Sequence, residues 1–195
     1  MIIESGTGNG KLVGVSRSNR ILADALSVTA EHYYNHENGE AYNVLFSQSP
    51  TAGDDCIFYM KNTSEKDLVV EGITLGVINA GAVDAEFYIK LNDKGTRNSA
   101  TTVDPANLNT ASGKEAEGDF EYGADLDGGA ATLTGGYEIE RYVLANVQDL
   151  VSTHLNFHQD VIIKPGGTLT LWASDAGATY YVTIPFHYHP AEEEN

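Results

Sequence analysis

The sequence predicts an all-β protein, an antiparallel β-sandwich, specifically a jelly roll, with an extended N-terminal arm. Three observations carry that expectation. Short runs rich in β-branched and aromatic residues recur along the chain, clusters of Gly, Pro, Asn, Asp and Ser separate them, and no long amphipathic helical period intervenes. A chain of 195 residues lies in the range of a single sandwich built around one core.

The elements follow in order. Residues 1–20 hold the glycine-rich GTGNG and too few large apolar side chains for a core of their own, so they read as an arm. Within residues 21–28, Leu22, Leu26 and Val28 fit a strand or a short helix, and the strand is preferred. The arm or attachment segment is set at residues 1–30 and the sandwich at 31–195. After the turn dipeptide Asn38-Gly39, strands are expected at 42–46, 56–62 and 68–79. Residues 83–91 alternate cleanly: Val83, Ala85, Phe87, Ile89 and Leu91 share one face, and Asp84, Glu86, Tyr88 and Lys90 share the other. Residues 93–136 are dense in Gly, Asn, Thr, Asp and Ala, which predicts a long surface excursion of the kind that is functional, disordered or ordered only by a partner. Strand patterns resume at 137–147, 154–164, 168–173 and 179–189. Turns at Lys164-Pro165-Gly166-Gly167 and Asp175-Ala176-Gly177 separate the last three.

Eleven Lys and Arg against 28 Asp and Glu give a net charge of −17, which repels nucleic acid and anionic membranes. Basic residues are relatively frequent in the arm, where Lys11, Arg17 and Arg20 face only Glu4 and Asp24. No stretch reaches the roughly 18 apolar residues of a membrane helix, and no Arg- or Lys-headed apolar leader opens the chain, so a soluble protein is expected. The single cysteine, Cys56, lies in an apolar run and is expected to be a small core residue. The tail Glu192-Glu193-Glu194 reads as a solvated end.

Candidate chemistry is sparse. The six histidines fall into the pairs His32/His36, His154/His158 and His187/His189; on a strand His154, Asn156 and His158 share one face, and His187 and His189 are i, i+2 neighbours. Without a third ligand, surface or interface roles are favoured over a metal site, and no metal or cofactor is expected. There is no nucleophile elbow, phosphate loop or dinucleotide fingerprint, and carboxylates in so acidic a chain do not by themselves identify an acid/base pair. A catalytic site is therefore not expected. Trp172 is placed in the core. Tyr180, Tyr181 and Tyr188 are candidate aromatics for an oligomer interface or a glycan platform.

The blocks GNGKLVGVSRSNRIL, AEHYYNHENGEAYN, FHQDVIIKPGGTLTLWA and TIPFHYH make the chain resemble a group of small virion structural proteins of tailed bacteriophages. The resemblance runs over most of the chain. It implies a sandwich body displayed on the particle, a homotrimer bound to the major capsid protein as a head-decoration protein, made in the host cytoplasm and carried on the capsid surface. A tail or neck component and a carbohydrate-binding sandwich for host adhesion are the alternatives. On the decoration reading, Lys11, Leu12, Val13, Val15, Arg17, Arg20, Ile21 and Leu22 form the capsid-binding arm.

Overall fold

The computed structural model describes residues 14–15, 21–22, 35, 38–51, 53–79, 84–144 and 151–189. Strands dominate them: β1 (Gly14–Val15), β2 (Ile21–Leu22), β3 (Ala41–Gln48), β4 (Asp55–Asn62), β5 (Asp67–Asn79), β6 (Ala85–Leu91), β7 (Thr101–Thr102), β8 (Ala106–Asn107), β9 (Gly118–Tyr122), β10 (Tyr137–Leu144), β11 (Val151–Ile163), β12 (Thr168–Ala173) and β13 (Ala178–His189). Two antiparallel sheets pack as a β-sandwich. One has the order β10-β6-β12-β4-β9-β7, the other β11-β5-β13-β3-β8. β1 and β2 form a separate ladder, Val15 opposite Ile21, that joins neither sheet.

The main core lies between the sheets. Alternation sends Tyr42 and Val44 of β3 inward, with Phe87 and Ile89 of β6, Leu169 and Leu171 of β12, and Tyr180, Val182, Ile184 and Phe186 of β13. Phe186 stacks on Tyr42 at 5.4 Å and on Phe120 at 5.3 Å, so one ring joins both layers. Each such side chain contributes about 1.5–3 kcal/mol by leaving water.

The break in alternation inside LVVEGITLGVIN has a structural cause. Leu68 and Val70 point inward, then Ile73, Leu75 and Val77, so the phase slips between them. The β5–β11 register shifts over the same stretch, between Asn156 and Val161. Gly72 sits there because a Cβ would lie 2.3 Å from the Leu155 carbonyl oxygen. In the turn before β12, Gly166 adopts φ +77° and the Gly167 amide donates to the Lys164 carbonyl. In the turn before β13 the positive φ falls on Asp175 rather than on Gly177, and the Asp175 side chain holds it by accepting the Gly177 amide at 2.9 Å.

The 93–136 excursion is built into the sandwich. β9 and β7 lengthen one sheet beside β4, and β8 lengthens the other beside β3. Its Leu126 and Leu133 pack outside the six-stranded sheet against Cys56, Tyr59, Tyr88 and Trp172 in a second buried cluster. That cover explains why β4 and β12 are buried on both faces.

Candidate functional site

The two sheets present very different outer faces. On the six-stranded sheet, the outward row Thr168, Thr170 and Trp172 of β12 meets Asp93, which is only 2% exposed. The Asp93 carboxylate accepts hydrogen bonds from the Thr170 hydroxyl, from Trp172 Nε1 at 3.2 Å and from the Gly136 amide at 2.8 Å, and its backbone carbonyl accepts from the Thr168 hydroxyl at 2.7 Å. Cations close over the aromatic rings: Lys90 Nζ lies 3.8 Å from the Trp172 centroid, Arg97 4.1 Å from that of Tyr59 and Arg141 4.3 Å from that of Tyr88. Arg141 is held in turn by Glu138, at 2.7 and 2.8 Å, and by Glu86. This face is satisfied from within the chain.

Among the described residues, the outer face of the five-stranded sheet is open over a groove of about 620 Å3, lined mainly by Leu45, Ser47, Thr74, Gly76, Ile78, Ser152, Tyr181 and Thr183. Register arranges them in rows. Ser47, Tyr181, Gly76 and Ser152 are cross-strand neighbours, and Leu45, Thr183, Thr74 and His154 form the next row. Tyr181 therefore stands up from a row of small residues, 46% exposed, with Leu45 57% and Ile78 37% exposed beside it. No residue lining the groove carries a charge. The chemistry on offer is apolar area edged by hydroxyls, which suits binding by shape.

Two polar clusters flank the sandwich. Glu40, 8% exposed, lies between Lys66 Nζ at 2.6 Å and Lys114 Nζ at 2.8 Å, in a pocket of about 240 Å3 closed by Tyr42 and Tyr188. Burial pushes the Glu40 carboxyl up, and the two ammonium groups outweigh it, leaving its pKa below the ordinary value. Burial likewise pushes the Tyr42 phenol up to about 12. Among the described residues, Asp55, Asp125 and Asp127 are the grouping in which three potential metal ligands converge, with one oxygen of each within 4.8 Å of the others. Burial, with the charges of Asp125 and Asp55, raises the Asp127 pKa against the opposing hydrogen bond from the Cys56 amide at 2.6 Å. Asp55 also accepts the Thr51 amide at 2.7 Å, so both carboxylates pin backbone around β4.

Several expectations about site residues need correction. Tyr180 and Tyr188 offer no ring to a ligand. They are 0% and 3% exposed, and their hydroxyls donate to backbone carbonyls of Ser174 and Glu117. Tyr181 alone of the three is exposed, because alternation puts it on the opposite face of β13. The expected row of aromatics for a glycan is therefore absent from this strand. Trp172 is buried as expected, in the outer cluster rather than between the sheets. The strand histidines are not brought together: His154 Nδ1 pairs with the Thr74 hydroxyl at 2.9 Å, while His187, 1% exposed, lies 2.6 Å from Glu71. The ladders set His154 level with Thr183, about 13 Å along β13 from His187. Of the arm residues, Val15, Ile21 and Leu22 are described through their backbone pairing, whereas Lys11, Leu12, Val13, Arg17 and Arg20 lie outside the described residues. So do His32, His36, the side chain of His158 and Glu192, Glu193 and Glu194.

Sequence reasoning missed the groove. The signal was present as apolar side chains in the outward phase of three strands: Leu45 between Val44 and Phe46, Ile78 after Val77, and Tyr181 between Tyr180 and Val182. Comparison with known protein families, curated proteins and solved structures finds no match to this chain.

Proposed function

We propose that this chain is a non-catalytic virion structural protein of a tailed bacteriophage, a jelly-roll head-decoration protein that binds the major capsid protein lattice as a homo-oligomer. The observation that carries the reading is the strand order. Leaving out the short β7, β8 and β9, the sheets read β3-β13-β5-β11 and β4-β12-β6-β10. Apart from β6 and β10, which pair within one sheet, successive strands of these eight alternate between the layers, and this supports the jelly-roll reading, an architecture used for viral capsid and lectin domains. Fold alone does not assign function. The sequence resemblance supplies the particle, and the chain's acidity supports a partner other than nucleic acid.

The role is mechanical. Many copies, each adding a modest buried contact between capsid subunits, reinforce the shell because symmetry multiplies the contact. Residues 1–30 serve as the attachment segment, since an arm contributes backbone hydrogen bonds and apolar anchors without a core of its own. Electron cryomicroscopy of the intact particle tests the assignment: density repeating over the head lattice is expected, and density confined to the tail or neck overturns it. Deletion of residues 1–20 is expected to abolish particle binding with the body still folded; retained binding overturns the arm's role.

A further inference from the structure

We infer that the uncharged groove on the outer face of β3, β5 and β13 is where copies of this chain meet one another, with the Tyr181 and Leu45 rows of each copy converging on a rotation axis. This rests on the homo-oligomer part of the reading above, for which it names the contact, and holds or fails independently of the placement on a phage head.

Charge selects the occupant. Two copies at −17 each repel through most of their surfaces, and contact is cheapest where neither brings charge. The groove is such a place: its ten lining residues are Leu, Phe, Ser, Thr, Gly, Ile, Tyr and Val. The other strongly exposed apolar side chains among the described residues, Tyr137, Val143, Ile162 and Leu108, stand on or next to the sheet-edge strands β10, β11 and β8, whereas Leu45, Ile78 and Tyr181 lie on three adjacent strands within one sheet.

Shape points the same way. Tyr181 and Leu45 are knobs, and the Ser47, Gly76 and Ser152 positions beside Tyr181 are hollows. A surface carrying knob and hollow side by side is complementary to its own copy under rotation, as an interface between identical copies requires. Facing sheets pack about 10 Å apart, close enough for a tyrosine on one to reach the floor of the other. A glycan is less well served, since one exposed ring and a few hydroxyls supply neither an aromatic row nor amide and carboxylate partners.

The test uses the full chain in sedimentation equilibrium. The wild type is expected to associate reversibly. Association should strengthen from about 0.01 M to about 1 M salt as the Debye length falls from about 30 Å to about 3 Å and the repulsion between acidic copies is screened. Tyr181→Asp and Leu45→Asp are each expected to weaken it about 30-fold or more, the scale of an interface hot spot. Tyr181→Ser serves the same purpose if a buried-edge carboxylate unfolds the strand. Cys56 is the only cysteine and is buried, so a Thr183→Cys chain carries one accessible thiol near the proposed axis and should form an inter-chain disulfide under mild oxidation. A wild type that stays a single chain at all concentrations overturns the proposal, leaving the groove to a different partner. Association that persists unchanged in the Asp variants, with the Thr183→Cys thiol unlinked, overturns it by placing the contact elsewhere.

Discussion

The outer faces of the two sheets begin from the same strand chemistry and end differently. On the six-stranded sheet, β4, β6 and β12 carry Cys56, Tyr59, Tyr88 and Trp172 outward, and the chain returns over them through residues 93–136, with Leu126 and Leu133 as apolar plugs and Asp93 as a buried acceptor. On the five-stranded sheet, β3, β5 and β13 carry Leu45, Ile78 and Tyr181 outward, and among the described residues no such cover lies over the groove. The difference teaches that an excursion poor in apolar residues can still be structural: two leucines and one carboxylate, placed over aromatic rings, convert an outer face into a second core.

If the covered face is a true core, its removal must be costly. Trp172→Ala empties the center of that cluster and is expected to lower unfolding free energy by about 3–5 kcal/mol in urea titrations. A loss under about 1 kcal/mol would break the comparison. Asp93→Ala comes next, at about 2–3 kcal/mol, because Trp172 Nε1, the Thr170 hydroxyl and the Gly136 amide lose their shared acceptor in a buried place. Denaturant midpoints for the two variants together are expected to be less than additive, since both disturb one network.

A smaller effect comes from Glu40, where Lys114 of the excursion and Lys66 of the β4–β5 turn share one carboxylate. Its folded pKa is lowered, so its contribution is present above the ordinary carboxyl pKa and is lost as pH falls through the lower folded value. Both lysines are more than 40% exposed, and solvent screening holds the contribution to about 1 kcal/mol or less. Glu40→Gln should therefore destabilise the protein at about pH 7, and the gap to wild type should close in strong acid. A gap that widens on acidification would assign the carboxylate the opposite role.

Much of this architecture was legible in the residues. The eight long strands follow from runs rich in β-branched and aromatic residues and from turn residues, and the alternation of 83–91 correctly separated Phe87 and Ile89 from Tyr88 and Lys90. The covered face was not legible, because a pattern reader treats the outward phase as solvent and cannot see that Leu126 and Leu133 return from 37 residues or more beyond Ile89 to bury Tyr88 and Trp172. Nor was the burial of Tyr180 and Tyr188: composition groups three tyrosines, whereas register splits them by face, and only Tyr181 falls on the open side. Nor does the run 68–79 reveal why Gly72 stands in it, which only the close approach of the β11 backbone explains. These are long-range facts, and local sequence carries only the side chains that satisfy them.

The open face makes the smallest prediction and the sharpest contrast. Tyr181 and Trp172 are both aromatic, both outward-pointing, and on strands at the interior of their sheets, so intrinsic strand preference does not separate them. What separates them is cover. Tyr181→Ser removes a ring that is already 46% exposed and flanked by Ser47 and Gly76, so it opens no cavity and strands no hydrogen-bond partner between the sheets. The expected change in the unfolding free energy of the single chain is within about 0.5 kcal/mol, measured at a concentration low enough to suppress association. At high concentration the same variant should melt below wild type, because association stabilises the folded state by mass action and the variant lacks its contact. Equal melting temperatures at both concentrations would mean that this face is only surface, while a large loss at low concentration would mean that it is cover after all.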